Sequence, residues 1–353
     1  MLRARYCRYT LLFKNPAVTS RDTLTRRDTY YIEVWHEESP EVRGLGECAL
    51  FKGLGDDDVP DYEERLADMV KQLNNCRSEA EIVMPRLTSM KFGLETALAD
   101  LRNGGTRRIY PTPWSEGKGA ITINGLIWMG NAEQMLHRIK EKLAAGFRCV
   151  KLKIGGINFD KELKLLSYIR ERFSADELQL RLDANGAFTP ANALARLEAL
   201  AHYDIHSIEQ PIKPRQWEAL SKLCSTSPIA IALDEELIGL HSREEKVEML
   251  EAVKPQYVIL KPSLCGGFSG ANEWIALAEE RGIDWWATSA LESNIGLNAI
   301  AQWVSTYHPT LPQGLGTGAL YVNNIESPLV QEHDYLRYKT NESWKIPNLD
   351  WQN

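Results

Sequence analysis

Four charged residues punctuate the middle of this 353-residue sequence at almost constant intervals, each where a short apolar run stops: Asp183 in RLDANG, Glu209 in SIEQP, Asp234 in ALDEE and Lys261 in ILKPS. The intervals are 26, 25 and 27 residues. That is the length of one strand plus one crossover helix, so the pattern predicts four consecutive parallel strands ending at one level. Where such strands close into a barrel, their C-terminal ends share one mouth, and barrel enzymes place their chemistry there.

The rest of the chain fits that plan. From about residue 119 the strands read ITINGL, CVKLKI, LQLRLD, HSIEQP, IAIALD, QYVILK, WWATSA and a short one near LPQGLG, with helices such as NAEQMLHRIKEKLAAG and ANEWIALAEERG between them. Eight strands over roughly 200 residues suit a (β/α) barrel better than a doubly wound sheet. Residues 1 to about 50 alternate as strands in RYTLLFK, TYYIEVWHE and GLGECALF, which predicts a small antiparallel sheet. Helices are expected over 61–75 and 89–103, the second stopped by Gly104 and Gly105. The expected fold is thus α/β: an α+β domain over 1–118, a barrel over 119–319, and a segment over 320–353 that packs back on the first domain.

Composition removes several function classes. Net charge is −7 and the basic residues are scattered, so nucleic acid is not an expected partner. No segment approaches the ~20 apolar residues of a membrane span. The basic start MLRARYCRYTLLFK lacks the apolar stretch of a targeting signal and reads as a first strand. Cys7, Cys48, Cys76, Cys149, Cys224 and Cys265 form no C-x-x-C pair, as expected of reduced thiols in a cytoplasmic protein. The acidic run from Asp56 to Glu64 reads as a solvated loop and a first helical turn. His202 and His206 read as helix-end or surface residues, and GLGTG at Gly314–Gly318 lacks the strand and long helix of a dinucleotide site.

The chemistry is expected at the strand ends. Side chains alternate along a strand, so in CVKLKIGG Lys151 and Lys153 share one face, on the strand before the one that carries Asp183. Three carboxylates brought together at Asp183, Glu209 and Asp234 would repel one another unless a cation held them. All-oxygen ligation predicts Mg2+, with Mn2+ as the alternative. A substrate carboxylate there would lie between Lys153 and Lys261, its α-carbon exposed to both. A lysine whose pKa is lowered by nearby cations can take the α-proton, and Lys151 is expected to supply part of that potential. Arg181, two residues before Asp183, is expected on the same side, balancing the carboxylates or pairing with one, and Glu235 and Glu236 are read as supporting residues or plain loop.

These residues resemble the enolase superfamily, in its muconate-lactonizing branch, through RLDANGAFTPANAL, IEQPI, LDEEL, LKPSLCGG and TSALESNIGLNAIAQW, and the resemblance covers nearly the whole chain. It implies a TIM-like (β/α)7β barrel with an N-terminal α+β capping domain. It also implies Asp183, Glu209 and Asp234 as Mg2+ ligands, Lys153 as general base and acid, and Lys261 as the group that stabilises an enediolate. The implied reaction is syn-dehydration of a succinyl-bearing hydroxycyclohexadiene carboxylate to an aromatic dicarboxylate in menaquinone biosynthesis. The alternative is racemisation of N-succinylamino acids or another epimerase or cycloisomerase reaction of the branch. Dipeptide epimerases of the branch carry Asp-x-Asp where this chain has Ser289, Ala290 and Leu291, which argues against an α-ammonium substrate. By the same resemblance Ser289, Leu291 and the turn around Gly314 line the pocket for the succinyl arm, and a loop near Thr19–Arg26 closes over it. Arg21, Arg26 and Arg27 would attract a dianion there or stand as solvated arginines. The expected partner is a small dicarboxylate, and a homo-oligomer stays open.

Overall fold

The computed structural model describes residues 1–18 and 23–352. The chain opens with an antiparallel sheet of β1 (Leu2–Val18), β2 (Thr23–His36) and β3 (Ser39–Cys48), in that spatial order. Two helices follow, α1 (Tyr62–Leu73) and α2 (Thr88–Arg102), close to the bounds that apolar periodicity predicts. They pack on the sheet around Ile32, Val34, Leu66, Val70 and Leu94, a core separate from that of the barrel. α2 lies almost on the backbone of β3. A Cβ added at Gly46 would stand 1.9 Å from the carbonyl oxygen of Gly93, so this approach requires glycine.

The acidic run is not all solvated. Asp57 is 1% exposed and accepts from the N–H groups of Thr88 and Ser89 at 2.8 and 2.5 Å, supplying the carboxylate that the first turn of α2 needs.

Next come β4 (Ile121–Thr122), β5 (Gly125–Ile127), α3 (Ala132–Ala144), β6 (Cys149–Lys153), α4 (Phe159–Arg170), β7 (Gln179–Asp183), α5 (Ala193–Ala201) and β8 (Ile205–Glu209). α6 (Trp217–Thr226), β9 (Ala230–Leu233), α7 (Arg243–Val253), β10 (Tyr257–Leu260), α8 (Gly267–Glu279), β11 (Asp284–Ala287) and α9 (Asn294–Ser305) continue the alternation. Strands β5 to β11 form one parallel sheet in chain order. The short run Gln313–Gly314 closes it: on one side it bonds to Thr122 and Asn124, on the other to Ala287 and Ser289. The expected strand near LPQGLG therefore exists as a two-residue closure in an eighth position.

Outward residues such as Val150, Leu152, Leu180, Leu182, Ile208 and Val258 pack under the helices in the largest core. Inward residues build layers, one of them Ala232, Ile259 and Trp286. The registers Lys153 to Asp183 and Asp183 to Glu209 put those charged strand ends side by side. The last segment serves two partners. Its hairpin, β12 (Leu329–Glu332) and β13 (Tyr335–Tyr338), pairs with β4, while Tyr321 and Gln352 bridge to Phe13 and Tyr6 of β1.

Candidate active site

One cavity of about 560 Å3 opens at the C-terminal ends of the barrel strands. Its floor carries Lys151, Lys153, Asp183, Asn185, Glu235 and Lys261, and its roof comes from the first domain, through Leu24, Arg26, Phe51 and Leu54. Ser289, Leu291 and Gly314 line one wall. Around the ring of eight strand positions β6 and β10 are four apart, so Lys153 and Lys261 face each other across the mouth.

The ammonium groups sit on the carboxylates. Lys153 Nζ donates to Asp183 Oδ2 at 2.9 Å and to Asn185 Oδ1 at 2.7 Å. Lys151 Nζ lies 3.0 Å from Asp183 Oδ2 and donates to Glu209 Oε2 at 2.7 Å. Lys261 Nζ donates to Asp234 Oδ2.

Burial alone would raise the pKa of Asp183, but Lys151 and Lys153 outweigh it and hold that carboxyl well below the usual range. Burial and the neighbouring Asp183 push Glu209 up, and burial with Asp234 pushes Glu235 up. Lys151 and Lys261 both carry a raised pKa. Burial does work to lower both, yet Asp183 and Glu209 hold Lys151 above the usual lysine range, and Asp234 and Glu209 do the same for Lys261. Carboxylates outnumber cations here, so the charge of Lys151 is spent on two of them.

That excess of buried acid suits a cation. Glu209, Asp234 and Glu235 each offer an oxygen within 4.8 Å of one another, and Glu209 Oε1 is buried with no hydrogen-bond partner among the described residues. This trio includes Glu235 where the sequence reading has Asp183, which stands beside it under two lysines. A buried cluster of hard oxygen donors can bind a divalent metal.

Other expectations shift. Arg181 does not line the cavity; it is 1% exposed one layer below, donates to the carbonyl of Pro312 at 2.8 Å and stacks 4.1 Å from the Trp286 ring centroid. Arg21 lies outside the described residues, and with it residues 19, 20 and 22 of the stretch expected to close over the pocket. Arg26 and Arg27 both line the cavity, and Arg27 is buried among backbone carbonyls and is no solvated arginine. His206 packs against Tyr257 and Trp286, at a register shift between β7 and β8 that interrupts the side-chain alternation. Ser289 faces the cavity, but its hydroxyl donates to Glu292 at 2.6 Å.

Asn185 escaped the sequence reading altogether. It sits in RLDANG at φ 44°, a left-handed conformation that asparagine tolerates, and joins Lys153 to Glu235 by donating from Nδ2 to Glu235 Oε1 at 2.8 Å. An Asn-Gly pair just past a charged strand end was the available signal.

Residues 134–340 match a family model described as enolase C-terminal domain-like. The chain is 46% identical to an o-succinylbenzoate synthase of Desulfotalea psychrophila, over 94% of this chain and 97% of that protein. The solved structure of MenC from the same organism superposes with a TM-score of 0.84 at 43% identity, covering 95% of this chain and 99% of that one. A muconate lactonizing enzyme from Pseudomonas fluorescens, complexed with muconolactone, shares the fold with a TM-score of 0.79 at 22% identity, over 96% of this chain and 93% of that one.

Proposed function

The chain belongs to the enolase superfamily, and from that premise we propose that it is an o-succinylbenzoate synthase, converting 2-succinyl-6-hydroxy-2,4-cyclohexadiene-1-carboxylate to o-succinylbenzoate and water in menaquinone biosynthesis. The observation that carries this reading is the placement of Lys153 and Lys261 on opposite walls of one cavity, above a buried patch of carboxylates. Asp183, Glu209 and Asp234 would hold Mg2+ or Mn2+, with Glu235 beside them. A cation bound there would offset the negative charge that grows on the ring carboxylate as the α-proton leaves.

Lys153, as the free amine, takes that proton, while Asp183 and Asn185 aim its nitrogen. The electron pair moves toward the carboxylate, giving an enediolate whose charge faces the Lys261 ammonium. As the neighbouring C–O bond breaks, Lys153 returns the proton to the departing hydroxide on the same face. One water and one aromatic dicarboxylate leave. Ser289, Leu291 and Gly314 would bound the succinyl arm, and the capping domain, which we delimit as residues 1–118, would exclude bulk water above the barrel of 119–319. Among the described residues no helix is long and apolar enough to cross a membrane. Six free thiols fit a reducing cytoplasm.

The test is the decay of the cyclohexadiene absorbance on adding purified protein with Mg2+, and again with excess EDTA. Fast decay that the chelator stops is expected. Absence of decay with Mg2+ present, together with racemisation of an N-succinylamino acid, would replace this reading with the alternative.

A further inference from the structure

The loop after β11 holds a bulky residue in a conformation it rarely adopts. Leu291 has φ 65° and is 7% exposed, and it lines the cavity while sharing an apolar cluster with Leu11 and Phe13 of the capping domain. Such strain persists only when the surroundings over-determine it. Here they do. The Leu291 N–H donates to Ser289 Oγ at 3.0 Å, and its carbonyl accepts from Arg27 Nη1 and from the Tyr321 hydroxyl, the latter at 2.6 Å.

Arg27 spans two parts of the molecule. It is 7% exposed and also donates to the carbonyls of Ala290 at 2.5 Å, Ala49 at 2.8 Å and Leu50 at 3.0 Å, so one planar guanidinium ties the end of β3 to the barrel loop. A lysine could not reproduce that fork. Tyr321 comes from the segment beyond the barrel and is itself bridged to Phe13 of β1. Two side chains distant in sequence therefore converge on one carbonyl of the barrel loop, and neither contact touches Lys153 or Lys261.

We propose that Arg27 and Tyr321 are positioning residues that fix Leu291 as a rigid wall and thereby set the length of acyl arm the cavity accepts. This rests on the reading of the reaction given above. The arm is remote from the reacting carbon, so a loosened wall weakens binding in ground and transition states alike, raising KM and leaving kcat nearly unchanged.

The test compares wild type with Arg27→Lys and the milder Tyr321→Phe. The readouts are kcat and KM for the succinyl substrate and for its glutaryl homologue, and amide hydrogen exchange of the peptide over residues 287–296. In each variant we expect KM for the succinyl substrate to rise about tenfold with kcat within about threefold, and the preference for the shorter arm to shrink. Exchange over 287–296 should quicken, more so in Arg27→Lys. Unchanged exchange and unchanged arm preference in both variants would overturn the proposal, as would a fall in kcat at constant KM. If wild type fails to turn over the succinyl substrate while both variants exchange faster, the assigned reaction falls and the clamp on Leu291 stands.

Discussion

Lysine is seldom buried unless paired, and that rule made Lys151 and Lys153 readable in the sequence. Alternation put both on one face, and the structure gives each a carboxylate. Arg27 was not readable, because nothing in TRRDTY separates an arginine that clamps backbone from one in solvent; the difference arises only when residues 49–50 and 290–291 arrive. Asn185 is an intermediate case, with a local conformation suggested by Asn-Gly but partners fixed by β6 and the residues after β9. Its contact with Lys153 has a consequence for rate. Replacing Asn185 by Ala leaves the amine aimed by Asp183 alone, and kcat should fall about tenfold to a hundredfold with KM little changed, measured by steady-state decay of the diene. An unchanged kcat would mean that Asn185 only supports the turn.

At the scale of elements, helices were legible where apolar spacing is strong, as in α2 and α3. α3 also carries a capping box, Asn131 and Gln134 each accepting from the other's backbone N–H. GLGECALF was legible as a strand, but the purpose of its glycines was not. Gly44 and Gly46 admit the backbone of α2, which also packs Phe92 against Phe268 of α8, with ring centroids 5.1 Å apart. A methyl at Gly46 has backbone in its way and no flexible side chain to displace. Gly46→Ala should therefore cost about 1–3 kcal/mol, read as a lower urea midpoint at constant slope. A midpoint equal to that of wild type would show that α2 can lift off β3 at little cost.

For the whole molecule, eight strands alternating with helices pointed to a barrel, and the recurrence of charged strand ends pointed to its mouth. Closure was harder to see. It depends on two residues, Gln313 and Gly314, too few to form a hydrophobic pattern. The layer below the site was equally hidden: Arg181 shares a face with Asp183, but strand depth placed it against Trp286 and away from the cavity. The barrel supplies charge at fixed positions, and the first domain covers it with Leu24, Arg26 and Phe51. The account stands on Lys153 as the group that moves the proton. Its most direct test is diene decay in Lys153→Ala, beside wild type, with the thermal midpoint and calorimetric binding of o-succinylbenzoate measured on the same samples. We expect turnover to fall by at least about a thousandfold while folding and product binding persist. Turnover within a few fold of wild type in a folded, product-binding Lys153→Ala protein would contradict the account.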